Sequence, residues 1–183
     1  MRFRRWLAFV LAASMLLGAM VVGAGAATAS LQVSQMVSEA GKAAEKLEKY
    51  IQMGEKDSRG VYSLFPFPSA FAVGNNEIDG ASYILMVARG VLALSQGQAP
   101  STAIPYSKIT VEKDIVSCSS ASTLNKGQYL DLAERILIYA ETTGGRLPSS
   151  FNKPTDGSKA YDGRISAYSA AHALLEVLVA YGT

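Results

Sequence analysis

The sequence predicts an all-α fold, with four main helices arranged as two repeated helix pairs in one bundle. Two observations carry this. Apolar residues recur at three- and four-residue spacing in four separate stretches, and the chain repeats itself. Ala44-Glu-Lys-Leu-Glu-Lys-Tyr-Ile-Gln52 is echoed by Ala133-Glu-Arg-Ile-Leu-Ile-Tyr-Ala-Glu141. A proline phrase follows each, Phe67-Pro-Ser-Ala-Phe71 and then Leu147-Pro-Ser-Ser-Phe151. After each phrase come Asp-Gly (Asp79-Gly80, Asp162-Gly163) and a strongly apolar stretch. Matches in the same order mark a duplicated module. Duplicated modules suit binding, because two weak sites on one chain gain by effective concentration.

Residues 1–29 stand apart from the repeat. Arg2, Arg4 and Arg5 form a basic start, Trp6 to Val22 is apolar, and Ala27-Thr28-Ala29 is a small-x-small cleavage signal. That is the layout of a secretory signal peptide. An uncleaved anchor is the competing reading, since the apolar run approaches spanning length. Cleavage is favoured by the Ala-x-Ala site and by the lack of a positive stop-transfer cluster. Removing 29 of 183 residues leaves 154, enough for one core built from two intimate halves.

The first helix is expected over 33–53, with Ala40, Ala43, Ala44, Leu47, Tyr50 and Ile51 as its apolar stripe. Glu45 and Lys49 are spaced to pair on its wet face. Gly54 ends it, and 55–66 reads as a loop. The second helix, about 81–95, is apolar nearly all round: Tyr83, Ile84, Leu85, Met86, Val87, Val91, Leu92 and Leu94, with Arg89 its only charge. Such a helix is a buried one. A third runs about 126–142, with Tyr129, Leu132, Ala133, Ile136, Tyr139 and Ala140 as its stripe and Asp131 four residues before Arg135. Gly144-Gly145 is its stop and Pro148 enforces the break. Residues 152–163 read as polar loop. The fourth helix, about 165–181, is again apolar almost throughout, with Glu176 its only charge. The simplest packing buries helices two and four together and lays one and three over them.

The organisation is therefore a signal peptide over 1–29, a first helix-pair module over 30–105, a linker over 106–124 and a second module over 125–183. The linker is irregular. Ile109-Thr-Val111 and Ile115-Val-Ser-Cys118 have strand-type composition around Glu112-Lys113-Asp114, which allows a short β-hairpin.

Charge and cysteine content narrow the function. All 15 acidic residues but only 14 of the 17 Lys and Arg lie beyond residue 29, so the mature net charge is −1. Nucleic-acid binding loses its main electrostatic warrant. One cysteine, Cys118, excludes an internal disulfide. It either bridges to another chain or sits half-buried as a small apolar residue.

The segment from Gln128-Tyr-Leu-Asp-Leu-Ala-Glu-Arg to Thr143-Gly-Gly-Arg-Leu-Pro148 resembles a pseudomurein-binding repeat, a cell-wall-binding module. Tyr129, Leu130, Leu132, Ala133, Arg135, Tyr139, Gly145, Arg146 and Pro148 sit on that family's recurring positions. Tyr83, Ile84, Met86 and Arg89 echo the first part of the motif. The first copy departs from it by lacking Gly-Arg-x-Pro, and it carries nine extra residues between helix and proline phrase. The resemblance implies a non-catalytic module that holds a cell-wall glycan-peptide polymer, pseudomurein or peptidoglycan-like. It makes Tyr83, Arg89, Tyr129, Arg135, Tyr139 and Arg146 the candidate ligand-binding residues. Aromatic faces suit sugar C–H surfaces and arginine suits carboxylates. Against this stands the plainer reading that tyrosines at helical spacing, Tyr161 and Tyr168 included, fill the core, and that Arg89 and Glu176 pair with each other or lie at the surface.

Catalysis has little support. His172 is the only histidine, in mid-helix, with Glu176 one turn on as its only nearby orienting carboxylate. No phosphate-binding glycine loop and no closely spaced metal ligands occur, so neither a catalytic residue nor a metal or cofactor is expected. The chain is expected to be secreted, extracellular or cell-wall associated, without a membrane span once the signal is cut. The alternative is a protein–protein or self-assembly module meeting other envelope proteins; a hydrolase ranks last.

Overall fold

A computed structural model describes residues 30–52, 55–56, 62–63, 70–111, 124–152 and 164–183. The expected signal peptide, the Gly54 stop, Cys118, Tyr161 and Asp162-Gly163 lie outside the described residues.

Strand β1 (Ser30–Gln32) runs into helix α1 (Val33–Gln52). Ala40, Ala43, Ala44 and Leu47 are buried, the stripe that the apolar spacing dictates. Glu45 and Lys49 pair at 2.7 Å on the exposed face. The first N–H groups of a helix lack intrahelical acceptors. Here Val33 and Ser34 donate to the carbonyls of Thr102 and Pro100, at 3.0 and 2.9 Å. Chain from beyond the second helix therefore caps the first.

Two small antiparallel pairs follow: β2 (Glu55–Lys56) with β3 (Tyr62–Ser63), and β4 (Ala70–Val73) with β5 (Asn76–Asp79). The β4–β5 hairpin turns at Gly74-Asn75, where Gly74 has φ +59°, a left-handed conformation that glycine adopts at no steric cost. Asp79 ends β5 and caps helix α2 (Gly80–Ser95) by accepting from the Ser82 N–H at 2.9 Å. Strand β6 (Ala103–Pro105) returns to pair with β1, and β7 (Thr110–Val111) lies parallel to β8 (Arg146–Leu147).

Between them, helix α3 (Lys126–Thr142) opens with a reciprocal cap of Asn125 and Gln128. It closes with Gly144 in the left-handed region and the Gly145 N–H on the Ala140 carbonyl at 2.8 Å. Strand β9 (Ser150–Asn152) pairs with β10 (Arg164–Ser166), and Ser166 caps the last helix, α4 (Ala167–Gly182).

The fold is mixed α/β, which corrects the all-α expectation. The four helices lie within two residues of the stretches that periodicity marks. The strands escaped it because each is two to four residues long, too short for an alternating pattern to register. β2 and β3 lie in the expected loop 55–66, β4, β8 and β9 in or beside the proline phrases and β7 in the linker, while β10 takes Ile165 and Ser166 from the expected start of the fourth helix. Of the hairpin that the linker composition allows, one arm is described. Thr110–Val111 is a strand, but it pairs in parallel with Arg146–Leu147; Ile115–Cys118 lies outside the described residues.

The same order, helix–strand–strand–helix, occurs in both halves, with the same register. Phe71 faces Ile78 as Phe151 faces Ile165, and Ala72 faces Glu77 as Asn152 faces Arg164. The helices then exchange partners. α1 packs chiefly on α4, and α2 on α3, while α2 and α4 meet at the centre; within each half the two helices touch far less. Tyr83, Met86, Val87 and Val91 of α2 and Tyr168, Leu174 and Leu178 of α4 are all buried. Each such side chain gains about 1.5–3 kcal/mol on burial, and neither half supplies enough cover to realise that gain alone.

Candidate functional site

The groove that brings sequence-predicted residues together lies in the second half, between the C-terminal part of α3 and the β9–β10 hairpin. It is open, with a volume of about 420 Å³, and Arg135, Ile138, Tyr139, Pro148, Asn152 and Arg164 line it. The helix period puts Arg135, Ile138, Tyr139 and Thr142 on one face. The Schellman turn at Gly144-Gly145 reverses the chain so that Pro148 to Asn152 runs back alongside.

Arg135 is held from two sides. Its Nη2 lies 2.6 Å from Asp131 Oδ2, and its Nη1 donates to the Asn152 carbonyl at 3.2 Å. Arg164 stands opposite Asn152 on the hairpin and donates to the Ser150 carbonyl at 3.5 Å. Ile138 is 58% exposed, the more exposed of the two large apolar side chains that stand open among the described residues. In the groove wall, the Ser150 hydroxyl is buried and has no hydrogen-bond partner. Among the described residues, the lining contains two cations, a tyrosine, an exposed aliphatic group and hydroxyl and amide groups, with no His, Cys, Asp or Glu. Such a set can hold an extended, partly anionic chain.

The other candidates stand elsewhere. Tyr83 is 1% exposed and stacks on Phe71 with ring centroids 4.8 Å apart, inside the core and out of reach of a polymer. Arg89 is half-buried and donates to the Pro105 carbonyl and Ser107 Oγ, both at 3.0 Å. Burial lowers its pKa, and the charge of Glu141 opposes that shift. Arg89 thus ties α2 to the following segment rather than to Glu176, which faces His172 at 3.8 Å. Tyr129 neighbours Tyr181; burial first, then that neighbour, raises its pKa. This contact joins the start of α3 to the end of α4. Arg146 is exposed on β8 and is not among the groove residues. Tyr168 is buried.

Sequence reasoning missed Ile138, Asn152 and Arg164. Ile138 lies outside the apolar stripe expected for α3, so the helix period does not single it out. Arg164 becomes visible only when Arg164-Ile165-Ser166 is seen as a strand, with Ile165 inward and Arg164 outward.

Among the described residues no group of three His, Cys, Asp or Glu is placed to hold a metal ion, and no helix is long and apolar enough to cross a membrane. Comparison with family models, curated proteins and solved structures finds no match to this chain.

Proposed function

We propose that this protein is an exported, non-catalytic module that binds a cell-wall polymer of the pseudomurein or peptidoglycan type, through the groove between α3 and the β9–β10 hairpin. The observation that carries this reading is the composition of the groove. It places Tyr139 and Ile138 beside Arg135 and Arg164, so apolar and aromatic faces for sugar rings lie next to donors for carboxylates. The resemblance of Gln128–Pro148 to pseudomurein-binding repeats supports it, because that segment builds one whole wall of the groove.

The test is co-sedimentation of the mature protein with isolated wall sacculi. The protein is expected in the pellet with no release of soluble wall fragments, and Ile138→Asp, at an exposed position, is expected to return it to the supernatant without lowering its melting temperature. Retention of the wild-type protein in the supernatant across several wall types would refute the reading.

A further inference from the structure

We infer that the two halves are unequal in binding: the chain carries one anion-selective groove, in the second half, and it takes the peptide carboxylates of the wall polymer. This rests on the proposed wall-binding reading and narrows it. A duplicated module suggests two equivalent sites, but the shared hairpin register shows which residues stand in the two places. Lys46 takes the helix position of Arg135, and Glu77 takes the hairpin position of Arg164. The first-half position therefore presents a carboxylate where the second presents a guanidinium.

The remaining substitutions point the same way. Lys46 Nζ donates to the Ala70 carbonyl at 2.6 Å and lies 5.2 Å from the Phe71 ring centroid, folded onto its own hairpin. Lys49, in the place of Ile138, is paired with Glu45. Ala72 replaces Asn152, so the first strand offers no side-chain hydrogen bonds where the second offers an exposed amide. In the second half, Asp131 and the Asn152 carbonyl fix Arg135 across the groove from Arg164. The Arg164 fork carries more donors than the Ser150 carbonyl, at 3.5 Å, takes up. A carboxylate suits that fork, and an acidic chain approaching the first half would meet Glu77 instead.

Fluorescence anisotropy with a short labelled poly-L-glutamate peptide, and poly-L-glutamine as the uncharged control, tests this on the full mature chain. Selective binding of poly-glutamate at one peptide per chain is expected. Arg164→Glu and Arg164→Gln should weaken it about tenfold or more, and Glu77→Gln should leave it unchanged, with all melting temperatures alike. Equal binding of the two peptides, two equivalent sites, or an Arg164→Glu protein as tight as wild type would overturn the inference. A second arm uses sacculi whose carboxylates have been amidated. If the protein pellets equally with amidated and native walls, wall binding stands and carboxylate selection fails. If no wall retains the protein but poly-glutamate binds through Arg164, the single anion groove stands and the wall assignment fails.

Discussion

The Tyr83 ring lies against the Phe71 ring at an interplanar angle of 26°, and its hydroxyl finds no hydrogen-bond partner in the core. A buried hydroxyl left unsatisfied costs about 1–3 kcal/mol, while the ring itself packs well. Tyr83→Phe is therefore expected to stabilise the fold by about 1 kcal/mol, read from urea unfolding. Burial first, then the charge of Glu39, holds the Tyr83 phenol above the ordinary tyrosine range. With the folded value raised, stability is full below the ordinary value of about 10 and falls as the pH climbs beyond it. The variant should lose less stability at alkaline pH than the wild type. Tyr168, raised by burial and then by Tyr50, contributes to the same slope, as do Tyr106 and Tyr129. A Tyr83→Phe protein less stable than wild type at neutral pH would show that the hydroxyl has a partner.

Asp79 joins two functions in one carboxylate. Oδ1 caps α2 at Ser82, and Oδ2 accepts from the Tyr106 hydroxyl at 2.8 Å. That bond is the main reason the Tyr106 phenol titrates above its usual range. Asp79→Asn should retain the cap yet bring Tyr106 back toward ordinary behaviour in a spectroscopic titration. Asp79→Ala should also cost about 1 kcal/mol through the lost cap. An unchanged Tyr106 titration in Asp79→Asn would assign the shift to another source.

Two glycines with open space around them should respond oppositely to alanine. Gly41 lies inside α1, and a methyl there would touch nothing within 4 Å. Gly41→Ala should stabilise by about 0.5–1 kcal/mol. Gly144 has equally free surroundings but φ +68°, so Gly144→Ala should cost about 1 kcal/mol through backbone strain alone. Thermal unfolding of both variants checks the pair, and a shift of the same sign in both would refute the argument.

Partner exchange makes the halves interdependent. Residues 30–111 and 124–183, prepared as separate chains, should each show little cooperative unfolding. Mixed, they should recover helical circular dichroism and one cooperative transition. Independent folding of either piece would mean that α2 or α4 can be covered without the opposite half.

What the sequence disclosed and what it withheld divide along physical lines. Helix positions were legible because Ala40, Ala44 and Leu47, or Leu132, Ala133 and Ile136, recur at the helical period, and because Gly144 marks a stop. The β4–β5 hairpin was detectable in principle from Gly74-Asn75 between Phe71-Ala-Val73 and Glu77-Ile78, but four residues a side is a faint signal. That α2 and α4 meet at the centre was legible, because both are apolar nearly all round; which outer helix covers which was not, since periodicity shows that Ala44 faces inward and says nothing of α4 being its cover. The groove was half legible. Arg135 and Tyr139 lie on a helix face visible in sequence, whereas Arg164 reaches the same place only through the hairpin register. Tyr83 and Arg89 resembled ligand contacts because aromatic and guanidinium groups serve equally as core filler and as ties between segments.

A methyl at Gly182 would lie 2.8 Å from Val37 Cγ1, and Tyr50 acts electrostatically on Tyr168, so α1 and α4 run antiparallel, with the front of one beside the tail of the other. Residues 30 and 183 therefore emerge on the same side of the molecule. A short bridge between them, with the chain reopened inside 112–123, would yield a circularly permuted protein with every helix contact preserved. Tension applied between residues 30 and 183 would load the α1–α4 seam first, leaving the α3 groove outside the line of force.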